Sequence, residues 1–508
     1  MKINEVIPPL PLFDQEKIIS IQHFKKIQPQ QLPAPSNLLA RLGQSRSMSE
    51  LGENGPVLAS LNLKARFKQL EFRRYEALFA RDSLRVAIDL MNDYPKLAES
   101  TIVRLAQLQG LSFNSNSEEE PGKIIHEARD PRTDPIAQEL SSKLNWDWPY
   151  YGSIDSTPGF ILALLQYCQR CQSFDFMNFK YTDRHNQEQS IRIAFNRALD
   201  WILNKLANDK YHFLSYKSLN PNGIENQVWR DSWDSYFHQT GEMANHNKPV
   251  ISTDVQNLVV DALLGASIYF KEETEDRQKA SELRIIALDL FDRIRNFLWT
   301  DDQGGYFVLG ADYDAKDQLH PLKVKTSDMG HLLGSSYILR NKPEESMRRE
   351  LIIKKLFSPK LLSFSGIRTL ASDEVRFRPG AYHNGSVWIW DNYLIAKALD
   401  QHGYYGLSQI LKRILLSDVH SVKRYVEYLR GDDLTQHLLN DRIVDVWDAI
   451  NHKINRLEQP PQDIQAWTVS AIYAIKNGPT FPCFALDKTK RQFEQKIIKE
   501  IAFLDQID

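Results

Sequence analysis

Cysteine is scarce in this chain, with three residues in 508. An odd, sparse set excludes a disulfide framework and fits a reducing compartment. Cys168 and Cys171 form a Cys-x-x-Cys, but they follow the apolar run Phe160-Ile-Leu-Ala-Leu-Leu-Gln-Tyr and read as helix neighbours, with no further ligands nearby at zinc spacing. An excess of one charge is also missing: 63 basic against 65 acidic residues leave a net charge of -2. The basic stripe of a nucleic-acid or anionic-membrane binder is therefore not expected, and the partners implied are neutral. No apolar stretch is long enough to span a bilayer. Prolines break the opening run Met1-Lys-Ile-Asn-Glu-Val-Ile-Pro-Pro-Leu-Pro-Leu-Phe13 where a secretory leader needs an unbroken apolar core, so the expected location is cytoplasmic.

What is present is helical. Residues 1–60 are rich in Pro, Gln and Ser and read as an N-terminal extension, and residues 61–508 as one body. From about residue 65, apolar residues recur at spacings of three and four in segments such as Ser83 to Met91, Ala98 to Gln109, Pro158 to Cys171, Ile191 to Ala207, Val255 to Phe270, Ala280 to Trp299, His331 to Arg340, Val387 to Gln401, Ser408 to Leu416 and Ile464 to Lys476. One strand pair is expected, Gly305-Tyr-Phe-Val-Leu-Gly with Leu322-Lys-Val-Lys. No letter repeat marks a solenoid.

Several polar loops mix carboxylates, arginine, histidine and aromatics: Ala80-Arg-Asp-Ser83, His126-Glu-Ala-Arg-Asp130, Tyr150-Tyr-Gly-Ser-Ile-Asp-Ser-Thr157, Thr326-Ser-Asp-Met-Gly-His331 and Tyr382-His-Asn-Gly-Ser-Val-Trp-Ile-Trp-Asp-Asn392. The densest is Asn226-Gln-Val-Trp-Arg-Asp-Ser-Trp-Asp-Ser235. As a helix it would stack Trp229 on Trp233 and align Asp231 with Asp234. Each cluster has a plain structural alternative, with Ser83, Ser156 and Ser327 at or beside helix caps, Arg81 and Asp82 as an ion pair, and His126 and His383 as hydrogen-bonded core residues. If helix pairs close into a ring, however, every second loop meets at one end and the clusters share a cup.

The runs Tyr382 to Ala396, Asn226 to Asp234, Ser327-Asp-Met-Gly-His-Leu-Leu333 and Gln465-Ala-Trp467 resemble the amylo-alpha-1,6-glucosidase domain of glycogen-debranching enzymes and, more loosely, glucoamylases and mannosylglycerate hydrolases. The resemblance covers roughly residues 65–478. It implies an all-α (α/α)6 barrel and an inverting glycoside hydrolase that needs neither cofactor nor metal. Inversion requires a protonated acid at the glycosidic oxygen and, about 6.5–9.5 Å away, a carboxylate that activates water. The resemblance points to Asp234 as acid, with Asp231 as runner-up, and to Glu427 or Glu458 as base, Glu427 preferred.

It further assigns sugar contacts to Arg81 and Asp82, and the wall and platform to Trp229, Tyr382, His383 and Trp388. Tyr151, Asp155, Gln227, Arg230, Asp231, His331 and Asn384 complete the candidate substrate contacts. The sequence departs from the family form at Val228, Arg230, Trp233 and Ile389. These departures bear on the substrate, and two alternatives follow: a hydrolase of a small compatible-solute glycoside such as mannosylglycerate or glucosylglycerate, and a non-hydrolytic carbohydrate-binding protein.

Overall fold

A computed structural model describes residues 57–61, 75–335, 343–432, 439–440, 443–448 and 453–501. The helices, in chain order, are α1 (Ala80–Leu90), α2 (Pro95–Gln107), α3 (Pro135–Leu144), α4 (Ser156–Cys171), α5 (Ile191–Asn208), α6 (Thr253–Glu272), α7 (Arg277–Phe297), α8 (Pro343–Leu356), α9 (Ile389–Gln401), α10 (Tyr405–Val422), α11 (Ala466–Asn477) and α12 (Lys488–Ile501), with a 3-10 segment, Ser327–Gly334, before α8.

The burial pattern separates these helices into an inner and an outer layer. Along α7 the buried residues Ala280, Leu283, Ala287, Leu290, Phe291 and Ile294 form one stripe at spacings of three and four, so the helix covers a core on one side only. In α11, by contrast, every residue from Ala466 to Ile472 is buried, and α9 begins with the same kind of uninterrupted run from Ile389 to Tyr393. Helices buried all round must be enclosed by others.

The packing shows how. α1 packs on α4, α4 on α6, α6 on the 3-10 segment, that segment on α9, α9 on α11, and α11 back on α1, which closes a ring. Outside it, α2 lies against α1 and α4, α5 against α4, α7 against α6, α8 against the 3-10 segment, and α10 against α9 and α11. Two-residue antiparallel pairings lead into several inner segments at one mouth of the ring: Leu78–Phe79 with Glu127–Ala128, Val387–Trp388 with Tyr428–Leu429, and Ile464–Gln465 with Ser60–Leu61.

Several expectations are corrected. The strand pair shifts register. Tyr306–Phe307 pairs with Trp299–Thr300, while Gly310–Tyr313 pairs with Leu319–Leu322 in a four-stranded antiparallel sheet that continues through Val250–Ser252 to Ser215–Tyr216. Asp314 fixes that hairpin, since its Oδ1 accepts from the amides of Lys316 and Gln318 and so closes the turn. Ser83 lies inside α1 and donates to the Val57 carbonyl, whereas Ser156 and Ser327 stand beside their caps, Asp155 and Thr326, as expected. The inner segments are entered from extended residues such as Phe79 and Trp388, without a side-chain cap. The segment expected over His331 to Arg340 is the 3-10 turn ending at Gly334, and residues 336–342 lie outside the described residues. Of the N-terminal extension only residues 57–60 are described. Their buried side chains and the Ser60–Leu61 strand make them part of the body.

Gly385 holds a φ of +143°, and a Cβ there would come within 2.3 Å of the Arg378 carbonyl oxygen. Gly385→Ala is expected to destabilise the fold by about 1–3 kcal/mol, read as a lower midpoint of urea unfolding with an unchanged slope.

Candidate active site

The segment Asn226–Ser235 is not helical. Turns shape it because its side chains bond to its own backbone and to distant loops. Asn226 Nδ2 donates to the Ser232 carbonyl and Ser235 Oγ to the same oxygen, which curls the segment on itself. Arg230, fully buried, donates to the carbonyls of Thr369 at 2.9 Å and His383 at 2.6 Å. It therefore joins this loop to the Tyr382–Trp388 loop as scaffold, and the expectation that it touches substrate is corrected. The curl also separates Asp231 from Asp234.

At the ring's mouth, Arg81, Asp82, Trp229, Asp231, Tyr382, His383, Trp388 and Glu427 line a single pocket with ≈ 340 Å³ of open space. Ala59, Tyr75, Phe79, Gln465 and Trp467 complete the lining and were not among the sequence-derived candidates. Gln465 and Trp467 were legible in principle, because they belong to the Gln-Ala-Trp motif. Nothing in the local sequence marks Tyr75 or Phe79.

Two arginine–carboxylate contacts order one side. Arg81 Nε donates to Asp155 at 2.7 Å, and its Nη1 lies 3.6 Å from Asp231. Asp155 also accepts from Ser153, so its place is behind Arg81, where it holds the guanidinium. Asp82 accepts from Gln465 at 3.0 Å. On the facing side Glu427 accepts from the Tyr382 hydroxyl and, at 3.0 Å, from the Gln462 amide. Below, Trp229, Trp390, Trp388 and Trp467 form a cluster, Trp229 edge-on to Trp390 at 5.0 Å and Trp390 stacked on Trp467 at 4.7 Å. Such faces offer flat apolar contact to a sugar ring.

Burial sets the protonation of the pocket carboxyls. It pushes Glu427 up to about 8 despite the hydrogen bonds from Tyr382 and Gln462. It raises Asp82 to about 7 and Asp231 to about 6, with Arg81 opposing both. His383 is held neutral, first by burial and then by Arg230 and Arg81. Its Nδ1 faces Ser232 Oγ at 3.0 Å.

Other candidates lie elsewhere. Asp234 is buried behind the lining, where its carbonyl accepts from Asn384 Nδ2 at 2.8 Å; burial raises its carboxyl and Arg376 opposes the rise. Asn384 is thereby a loop tie. Glu458 ends the Lys453–Glu458 strand, 3.6 Å from Arg430, and does not line the pocket. The Tyr151 hydroxyl donates to the Leu108 carbonyl, the Gln227 main-chain carbonyl accepts from the Ile154 amide, and neither residue lines the pocket. His331 lies beneath Trp229, 2.7 Å from Asp391 and 3.6 Å from Asp254. Burial works against its charge, but these carboxylates raise it to about 10. Asp254, Asp328 and His331 lie close together, and with Arg230 and Asp391 they form a network of charged groups under the platform.

Residues 269–471 match the mannosylglycerate hydrolase MGH1-like glycoside hydrolase domain. That stretch contains Tyr382, His383, Trp388, Glu427, Gln465 and Trp467 of the pocket, and it places the chain's likeness with glycoside hydrolases in the wider mannosylglycerate hydrolase group. By structure, the chain is similar to the GH63 mannosylglycerate hydrolase of Thermus thermophilus in complex with Tris and D-glycerate, at 13% sequence identity, a TM-score of 0.50, 87% coverage of this chain and 98% of that one. The same enzyme in complex with Tris matches at 12% identity with the same coverage and TM-score. At this identity the likeness speaks for the fold, a helical barrel. No curated protein sequence matches the chain. These matches give glycogen debranching no support and stand closer to the compatible-solute alternative.

Because the folded protein raises the Glu427 carboxyl above its ordinary 4.5, the stability this group contributes is full below about pH 4.5 and is lost as pH rises through about 8. Glu427→Gln is therefore expected to gain stability over the parent across that window, by up to several kcal/mol at pH 8. Melting temperatures of both proteins from pH 4.5 to 9 check this. Parallel curves would contradict it.

Proposed function

We propose that the protein is an inverting glycoside hydrolase of a small α-linked glycoside of the compatible-solute kind, such as mannosylglycerate or glucosylglycerate, built on an (α/α)6 barrel. One observation carries the reading. Two carboxyls, Asp231 and Glu427, line the same narrow aromatic pocket, beside a charged pair, Arg81 and Asp82, suited to adjacent sugar hydroxyls. The likeness to mannosylglycerate hydrolases supports the same reading.

In the proposed reaction Asp231 gives its proton to the glycosidic oxygen. Glu427, ionised, takes a proton from a water that attacks the opposite face of the anomeric carbon. The aglycone leaves as an alcohol, the water oxygen becomes the new anomeric hydroxyl, and the configuration inverts. Tyr382 holds Glu427 in place, and Arg81 holds Asp231. The pair must carry one proton, and because Glu427 holds it more tightly than Asp231 the reactive arrangement is the minor of the two singly protonated forms; kcat/KM is still expected to form a bell with flanks near pH 6 and pH 8, which belong to the pair and not to either residue alone.

A second reading keeps Asp234 as the acid, favoured by its place in the motif and by the burial that raises its carboxyl. Paired variants decide. Asp231→Asn is expected to lower turnover about 100- to 10,000-fold with folding retained, and Asp234→Asn to leave turnover within the same order of magnitude; the reverse order would transfer the role. Azide rescue should act on Glu427→Gln and not on Glu458→Gln. The substrate class is tested with α-mannosyl- and α-glucosylglycerate against α-1,6-branched glucans, following the product anomer by NMR. A product of retained configuration, or turnover on the glucans alone, would sink the proposal.

A further inference from the structure

A second cluster of metal-ligating side chains lies on the four-stranded sheet and contributes nothing to the pocket lining. Asp312 and His320 sit directly opposite each other on the paired strands Gly310–Tyr313 and Leu319–Leu322. Facing them from the turn after the active-site loop is His238, whose Nε2 lies 3.0 Å from Asp312 Oδ2. His320 Nδ1 lies 3.7 Å from Asp312 Oδ1. The two imidazoles stack with centroids 4.1 Å apart and planes 23° from parallel, so one nitrogen of each ring lies beside the same carboxylate.

The unbalanced atom is Asp312 Oδ1. The side chain is only 3% exposed. Its Oδ2 accepts from the Asn245 amide at 2.7 Å and faces His238, but Oδ1 is buried without a hydrogen-bond partner among the described residues. A buried anionic oxygen without a donor is costly, and a cation answers it. The donor atoms all lie within 4.8 Å of one another. A tetrahedral ion holding its ligands at about 2.0–2.1 Å needs them about 3.3 Å apart, a contraction within the 4.8 Å span that these atoms keep. Two imidazoles and one carboxylate suit zinc or a neighbouring transition ion rather than calcium or magnesium, which prefer oxygen throughout.

We propose that His238, Asp312 and His320 form a divalent transition-metal site, with zinc the natural occupant and a water completing the coordination. Asp312 and His320 are fixed by strand register, so the ion would clamp His238 to the sheet. His238 belongs to the chain segment that has just supplied Asp231 and Asp234. The site's role is to brace that segment. No reaction step passes through it, and it stands independently of the substrate proposed above.

The test uses the full-length chain stripped with a chelator and titrated with zinc alone by calorimetry, and with cobalt followed by its visible spectrum. One equivalent of saturable binding is expected, with a cobalt spectrum of low, tetrahedral coordination and a zinc-dependent rise in melting temperature. His320 is 58% exposed, so His320→Ala should leave the circular dichroism unchanged while weakening zinc at least about tenfold and abolishing the thermal shift. Asp312→Asn should do the same. No saturable binding by the parent protein, or undiminished affinity in His320→Ala, would overturn the proposal.

Discussion

The structure depends on the closure of its inner ring, the meeting of α1 near the start of the described chain with α11 near its end. One buried hydrogen bond stands for the whole constraint. Gln465, at the entrance of α11, donates to Asp82 in the first turn of α1 across 383 residues of sequence. The bond draws the mouth of the ring together and sets one pocket carboxyl. Beside it, Ser60–Leu61 pairs with Ile464–Gln465, so the same closure is written into the backbone. Were the ring open, helices such as α11, buried along an unbroken run, would expose apolar surface on two sides.

Burial at that mouth produces the chemistry. Asp82, Asp231 and Glu427 all lose water, and all are raised in consequence, but by different amounts because their neighbours differ. Arg81 opposes the rise at both aspartates, while Glu427 has only neutral donors from Tyr382 and Gln462. Carboxyls whose environments push them apart can share a single proton near neutrality. The cost falls on folding, since carboxyls that resist ionisation, Asp82 and Glu427 buried and Asp231 partly so, work against the native state as pH rises.

The layer beneath the pocket is as charged as the pocket itself. Arg230, Asp328, His331, Asp254 and Asp391 sit under Trp229, and Asp328 accepts from the Trp229 indole nitrogen at 3.0 Å. This network fixes the platform. Arg230 and His331 stand in motif runs but lie outside the pocket lining, in this network.

Helix type and approximate extent were written in the sequence, because apolar spacing reports which side of a helix is covered, and α7 needs no tertiary information to be recognised. So was the membership of the pocket in large part, since Arg81, Asp82, Trp229, Tyr382, His383, Trp388 and Glu427 stand in motif runs. Which carboxylate of the Asn226–Ser235 segment faces the pocket was not legible. Local spacing leaves helix and turn both open there, and the turn is held by Arg230 reaching Thr369 and His383, partners 139 and 153 residues away. Tyr75 and Phe79 were hidden for the same reason, and so was the grouping of His238 with Asp312 and His320. Side chains far apart in the chain become neighbours only when the ring closes and the strands take their register, and only then does their distance acquire chemical meaning.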